Sequence, residues 1–179
     1  MADVLTPQQR QYNMSRIRGG DTKPEMMIRR GLHARGLRYR LHDRKLPGRP
    51  DLVFPRHHAV VLVHGCFWHG HSCVLFRLPA TRSEFWAEKI AKNRQRDNKV
   101  HASLRAAGWR VLTIWECSLK GGVKLSRDAV LDITEKFLLG CEPELSVVGY
   151  LPLPAAGRAD RSSSYDKSKE VPLGTSEAR

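Results

Sequence analysis

Nowhere does the chain run to the roughly 18 consecutive apolar residues that a membrane-spanning helix needs, so no transmembrane helix is expected. Its opening, Met-Ala-Asp-Val-Leu-Thr-Pro-Gln-Gln-Arg, lacks the apolar stretch of a secretory signal, which predicts residence in the cytoplasm. Cysteine is scarce: four in 179 residues, at positions 66, 73, 117 and 141. So few thiols in a reducing compartment do not make a disulfide scaffold and read better as metal ligands. Acidic side chains are short too, 18 against 31 lysines and arginines, for a net charge of +13.

The acidic deficit is local. Residues 1–50 carry 12 basic and 4 acidic side chains, residues 51–110 carry 10 and 4, and residues 111–179 carry 9 and 10. The surplus in the first 110 residues is the footprint expected of a protein that grips a phosphate backbone. It fits a purely structural or protein-interaction role badly. A solvated basic surface is the plainer alternative.

Three zones are legible. Residues 1–20 read as a short arm: Thr6-Pro7 suits a helix N-cap and first turn, but few apolar residues follow before Gly19-Gly20. Such an arm is a candidate DNA contact. Residues 21–140 read as an alternating α/β domain. A helix begins at Thr22-Lys-Pro-Glu25 and stops at Gly36, with Met26, Met27, Leu32 and Ala34 as its apolar positions. Leu37–Leu41, Leu52–Phe54 and Ala59–Val63 read as strands, the last a buried central one. Ser83 is placed to cap a long helix over Glu84–Ala107, with Ile90, Val100, Leu104 and Ala107 partly toward the core. Val111–Trp115 is another strand, and Asp128–Leu139 an amphipathic helix. This order predicts a mixed sheet with helices on its faces. Residues 141–179, rich in Pro, Gly and Ser, read as a disordered tail.

Chemistry concentrates in His64-Gly-Cys-Phe-Trp-His69-Gly-His71-Ser-Cys73, which packs two thiols, three imidazoles and two aromatics into one short loop. Zinc prefers thiolate and imidazole, four of them in a closed site. Cys66, His71 and Cys73 supply three, and Cys117, just past the strand at Ile114-Trp115, is the natural fourth; His69 and His64 compete with His71 for the imidazole position. Ordinary buried thiols are the bland alternative, and Cys141 reads as a free thiol. Asp51, at the head of a strand in Leu46-Pro-Gly-Arg-Pro-Asp51, stands where a nuclease holds Mg2+, although in isolation it is as easily a turn residue. Glu25 completes a Thr22-x-x-Glu25 capping box, so a cap explains it; it stays a candidate acid behind the metal site. Phe67, Trp68 and Trp86 are candidates for contact with bases, with packing in the core as the plainer alternative for all three, whereas Trp109 and Trp115 read as core.

Several segments together resemble the very short patch repair (Vsr-type) DNA mismatch endonucleases. They are Asn13-Met-Ser-Arg-Ile-Arg18, Asp21-Thr-Lys-Pro-Glu25, Leu46-Pro-Gly-Arg-Pro-Asp51, the His64–Cys73 block, Phe85-Trp86, Asn93 through Arg96-Asp97, and Gly108-Trp-Arg-Val-Leu-Thr-Ile-Trp-Glu-Cys117. The resemblance implies a restriction-endonuclease-like fold and a nick 5′ of the thymine in a T:G mismatch, the lesion left when 5-methylcytosine deaminates. It implies Mg2+ at Asp51, general-base work by His69, and structural Zn2+ on Cys66, His71, Cys73 and Cys117. It further implies a wedge into the duplex by Phe67, Trp68 and Trp86. His64 stands where restriction-type nucleases carry a catalytic lysine, and the second metal-binding acid of those enzymes is missing from Leu62-Val63-His64. The expected partner is double-stranded DNA, with general mismatch-repair proteins as candidate collaborators. Action at the nucleoid as a monomer is expected, because one mismatch has no two-fold symmetry. A zinc-clipped DNA-binding module without catalysis and a nuclease cutting both strands of matched DNA are the competing classes.

Overall fold

The computed structural model of the chain describes residues 6–16, 20–122 and 124–149. Of the expected arm and tail, residues 1–5, 17–19 and 150–179 lie outside the described residues. Helix α1 spans Pro7–Ser15, with Thr6 capping it: the Gln9 N–H donates to Thr6 Oγ1 at 3.2 Å, and Gln9 Oε1 accepts from the Thr6 N–H at 2.9 Å. Helix α2 (Lys23–Ala34) is followed by strands β1 (Arg40–Leu41), β2 (Leu52–Phe54) and β3 (Ala59–His64). Then come α3 (Ser83–Ala106), β4 (Arg110–Trp115), α4 (Arg127–Leu139) and β5 (Glu144–Val147).

The five strands form one mixed sheet in the order β1-β2-β3-β4-β5, antiparallel across the first two pairings and parallel across the last two. Side chains alternate across a strand, so each strand feeds two layers. Leu52, Phe54, Ala59, Val61, Leu112 and Ile114 pack with Ile28 and Leu32 of α2 and with α4 on one face. Val53, Val60, Leu62 and Val111 pack with Leu104 and Val100 of α3 on the other. The expected mixed sheet flanked by helices is what forms.

Four details differ from the sequence reading. The strand expected over 37–41 pairs only at Arg40–Leu41, because Leu37 is used as core beneath α2. Ser83 is the first residue of α3 and not its cap; Arg82, in left-handed conformation (φ 53°), takes that place without a side-chain hydrogen bond. Ala107, past the end of α3, is exposed. The fold also continues beyond residue 140, where β5 pairs with β4 along Val111–Ile114. Gly149 then passes so near Cys117 that a Cβ there would stand 1.9 Å from the Cys117 carbonyl oxygen. The supposed tail therefore supplies an edge strand and a brace for the cysteine loop.

Strand register decides where the chemistry collects. Leu41 opposes Leu52, so the next residues along the same ladder, His42 and Asp51, fall side by side. Antiparallel pairing of Leu52 with Val61 sets Asp51 at the end of β3 that leads to His64. Parallel pairing of His64 with Trp115 sends Cys66 and Cys117 out of the same sheet end, each two residues past its strand partner.

Candidate active site and metal centre

Four donors meet past the ends of β3 and β4. Cys66, His71, Cys73 and Cys117 place their ligand atoms within 4.8 Å of one another. His71 Nδ1 lies 3.7 Å from Cys66 Sγ and 3.6 Å from Cys117 Sγ. Bonds of about 2.3 Å to sulfur and 2.0–2.1 Å to nitrogen give tetrahedral edges of about 3.6 Å, so this set could hold a tetrahedral metal. Burial pushes the Cys66 and Cys117 thiols up and the His71 imidazole down. Those are the shifts expected of donors gathered away from water. Trp115 stacks on His71, ring centroids 4.1 Å apart, and packs half-buried against the cysteine cluster with Leu75 and Val148. Cys141 is exposed and free.

The second group sits at the Asp51 end of the sheet. Asp51 Oδ2 accepts the Val63 backbone N–H at 2.7 Å, while Oδ1 faces His42 Nδ1 at 3.9 Å. Burial raises the Asp51 carboxyl to about 6, with the nearby Glu25 carboxylate acting in the same direction. The Val63 hydrogen bond and the neighbouring His42 and His69 oppose that rise. His64 is 9% exposed and burial, reinforced by His69, lowers its imidazole to about 3, so it is neutral at any working pH. Its ring stacks on His69 at 3.8 Å and 5°.

His69 Nδ1 meets Asp97 Oδ2 at 2.6 Å. Although burial works against the charge on Asp97, the His69 hydrogen bond, then His69, His64 and Arg96 as charges, hold its carboxyl below the usual range. Helix α3 grips the loop along one stripe. Gly70 (φ 62°) lies against Ile90, where a Cβ would come within 2.6 Å, the Asn93 amide donates to the Trp68 carbonyl at 2.9 Å, and Asp97 holds His69. His64, His69 and Asp97 also line a cleft of about 620 Å³ between α3, β4 and β5.

Glu25 is 2% exposed and only half of the expected capping box forms. Thr22 Oγ1 does accept the Glu25 N–H, at 3.4 Å, but the Glu25 carboxylate turns inward to Arg29 (3.1 Å) and His42 (3.3 Å). Arg29 also pairs with Asp21. Phe67, Trp68 and Trp86 form one half-buried aromatic cluster, centroids 5.1–6.0 Å apart, beside Phe85, which is 42% exposed. The expected residues thus assemble as two adjacent centres and one aromatic ridge.

His42 and Asp97 were missed by the sequence reading. Asp97 carries a faint signal: Ile90, Asn93, Asp97 and His101 recur at helical spacing on a helix with few apolar positions. His42 has none until strand register is known.

The family model described as DNA mismatch endonuclease Vsr matches residues 2–75. The DNA mismatch endonuclease Vsr of Escherichia coli (strain K12) is 46% identical over 140 residues, covering 78% of this chain and 90% of that protein. The type II nicking enzyme V.XorIIP of Xanthomonas oryzae pv. oryzae is 49% identical over 119 residues, 66% of this chain and 88% of that protein. V.NmeAIP, a type II nicking enzyme of Neisseria meningitidis, is 42% identical over 120 residues, 67% and 86%.

Proposed function

Because the chain belongs to the Vsr family of DNA mismatch endonucleases, we propose that it uses Mg2+ to nick one strand 5′ of the thymine in a T:G mismatch, the first step of very short patch repair. That it is a DNA endonuclease acting in mismatch repair follows from the family; the mismatch, the metal and the residue roles are the proposal. The observation that carries it is the His69–Asp97 pair, its histidine on the same loop as Phe67 and Trp68 of the aromatic cluster, with Asp51 bound to the backbone of β3 next to His64. The order of strands and flanking helices supports reading the fold as restriction-endonuclease-like.

Asp51 suits a hard cation: Oδ2 accepts the Val63 N–H, Oδ1 has no hydrogen-bond donor among the described residues and faces His42 at 3.9 Å, and the carboxyl is held up by burial. A divalent cation there would stabilise negative charge building on the phosphate. His69 has its Nδ1 occupied by Asp97, which places the proton on that nitrogen and leaves Nε2 with a lone pair. That lone pair takes a proton from the attacking water, and Asp97 stabilises the imidazolium so formed. His64, neutral and stacked on His69, keeps the base in its plane. Glu25 acts from behind, through His42.

Zn2+ suits the other centre: three cysteines and a histidine are a donor set it prefers, and the His71 spacings to Cys66 and Cys117 match tetrahedral edges. There it would tie the loop that carries Phe67, Trp68 and His69 to the end of β4. Phe67, Trp68 and Trp86 would wedge between base pairs. Unstacking a step costs a few kcal/mol, and less at a mispair, so the wedge itself favours T:G over T:A.

The test is cleavage of an end-labelled duplex carrying a single T:G pair. A matched T:A duplex, a reaction without Mg2+ and Asp51→Ala run beside it. A Mg2+-dependent nick 5′ of the thymine, lost in Asp51→Ala, is expected. Double-strand cleavage of the matched duplex would replace this reading with a restriction-type nuclease, and binding without a cut would leave a zinc-clipped DNA-binding module.

A further inference from the structure

His42 is held more tightly than its exposure explains. Its Nε2 lies 3.3 Å from Glu25 Oε1, on a buried carboxylate that Arg29 anchors at 3.1 Å. Its backbone is left-handed, φ 46°, a conformation that a non-glycine residue keeps only where its surroundings fix it. The ring is thereby set with Nδ1 toward Asp51 Oδ1, the oxygen that the Val63 N–H does not use. The 3.9 Å between those atoms is too long for a hydrogen bond. It falls inside the range of about 3.0–4.2 Å that separates two donors bound at about 2.1 Å to one ion. Histidines that ligate metals characteristically give their other ring N–H to a carboxylate, which fixes the ring and strengthens the ligand. Glu25 stands 3.3 Å from His42 Nε2, close enough to hold the ring as an ion-pair partner in that way. Asp21, Glu25 and His42 could in principle gather a cation of their own, but the Arg29 guanidinium already joins Asp21 to Glu25 and would repel it.

We propose that His42 is a nitrogen ligand to the divalent cation carried by Asp51, with Glu25 as the residue that positions its ring. The inference rests on the reading that Asp51 binds such a cation, and it changes what the site should prefer. Mg2+ gains little from an imidazole, whereas Mn2+ and Co2+ accept one readily.

The experiment is isothermal titration of the full-length protein with MnCl2 and MgCl2 in separate runs, without DNA. His42→Ala should weaken Mn2+ binding about 10–100-fold, the range for losing a metal-site group, and Mg2+ binding by less than about threefold, as expected for a cation that favours oxygen. His42→Gln, which restores bulk and an amide oxygen, should bind Mg2+ like wild type while Mn2+ stays weak. Glu25→Gln should give an intermediate Mn2+ loss, because the ring keeps a partner but loses the carboxylate. Equal losses for the two metals in both His42 variants, or no loss in either, would overturn the assignment. Asp51→Asn tests the underlying reading separately: if it leaves both metals bound, the cation does not sit on Asp51 and the inference falls with it. A protein that shows His42-dependent Mn2+ binding but no T:G nicking would refute only the substrate.

Discussion

Asp51→Asn should make the Mg2+-free protein more stable while abolishing nicking. The wild-type carboxyl rises from 3.8 to about 6 on folding, chiefly through burial. At about 1.4 kcal/mol per tenfold, keeping it ionised above pH 6 costs the fold up to about 3 kcal/mol. The side chain retains 23% exposure, so part of that cost is relieved by water and the figure is an upper bound. The sign follows from proton counts. Between about pH 4 and 6 the folded state holds the proton and the unfolded state has released it, so wild-type stability falls as pH rises through that window and stays low above it. Asparagine carries no such cost, and its amide oxygen can still accept the Val63 N–H. The variant's advantage should therefore be near zero at pH 4 and full at pH 8, where about 3 kcal/mol corresponds to roughly 6–12 °C in Tm for a chain of this size.

The assay is thermal or urea unfolding of both proteins across that range, in Mg2+-free buffer prepared on a chelating resin, since a soluble chelator would also strip the cysteine centre. Added Mg2+ should then raise wild-type Tm and leave Asp51→Asn unmoved, narrowing the gap. A variant no more stable than wild type at pH 8, or a gain independent of pH, would refute the reasoning that Asp51 is kept ionised at a cost.

Three further outcomes are expected. Elemental analysis should find one zinc per chain, lost in Cys117→Ser and kept in Cys141→Ser; a chelator strong enough to remove it should cost several kcal/mol of stability, read by urea unfolding. His64, lowered to about 3 by burial, must stay neutral while the unfolded chain protonates near 6.5, so stability should fall as pH drops from about 6.5 toward 3. His64→Gln should flatten that acid limb in a pH series of unfolding midpoints. Asp97→Asn should slow single-turnover nicking by about 10²–10⁴-fold, the usual worth of an aligned general base, with little change in duplex binding measured by gel shift.

Local signals found the elements and the cysteine–histidine loop, because both are written at short range. Short runs of β-branched and apolar residues marked β2, β3 and β4, capping chemistry marked the starts of α1 and α2, and Cys66, His71 and Cys73 stand within one loop. β5 escaped because the alternation of Glu144-Leu-Ser-Val147 lasts only four residues and stands before a Pro-, Gly- and Ser-rich stretch; the edge that β4 offers makes it a strand. For Trp115, β-propensity and bulk indicate packing, but only its register beside His64 shows that it packs at the sheet end, over His71 and the cysteine cluster. The capping box at Thr22–Glu25 is the instructive half-success. A carboxylate three residues after a cap has two possible partners, the helix N-terminus or something across the fold, and sequence shows only the first.

What sequence could not show is also what makes the site one unit. Residues 25, 42, 51, 64, 69 and 97 are joined by β1–β2–β3 pairing and by α3 lying across the loop after β3. Each contact costs chain entropy that local sequence does not repay, so the arrangement depends on the sheet being complete. The two centres are consequently not independent. His69 lies three residues after Cys66 and two before His71, and its contact with Asp97 depends on that loop being held to the end of β4 at Cys117. Loss of the cysteine centre should therefore reach Asp97–His69 before it reaches Asp51, whose hydrogen bond to Val63 belongs to the sheet itself. A protein stripped of that centre should keep its divalent-cation affinity at Asp51 longer than its nicking rate, and the reverse order would mean that the loop, not the sheet, positions the carboxylate.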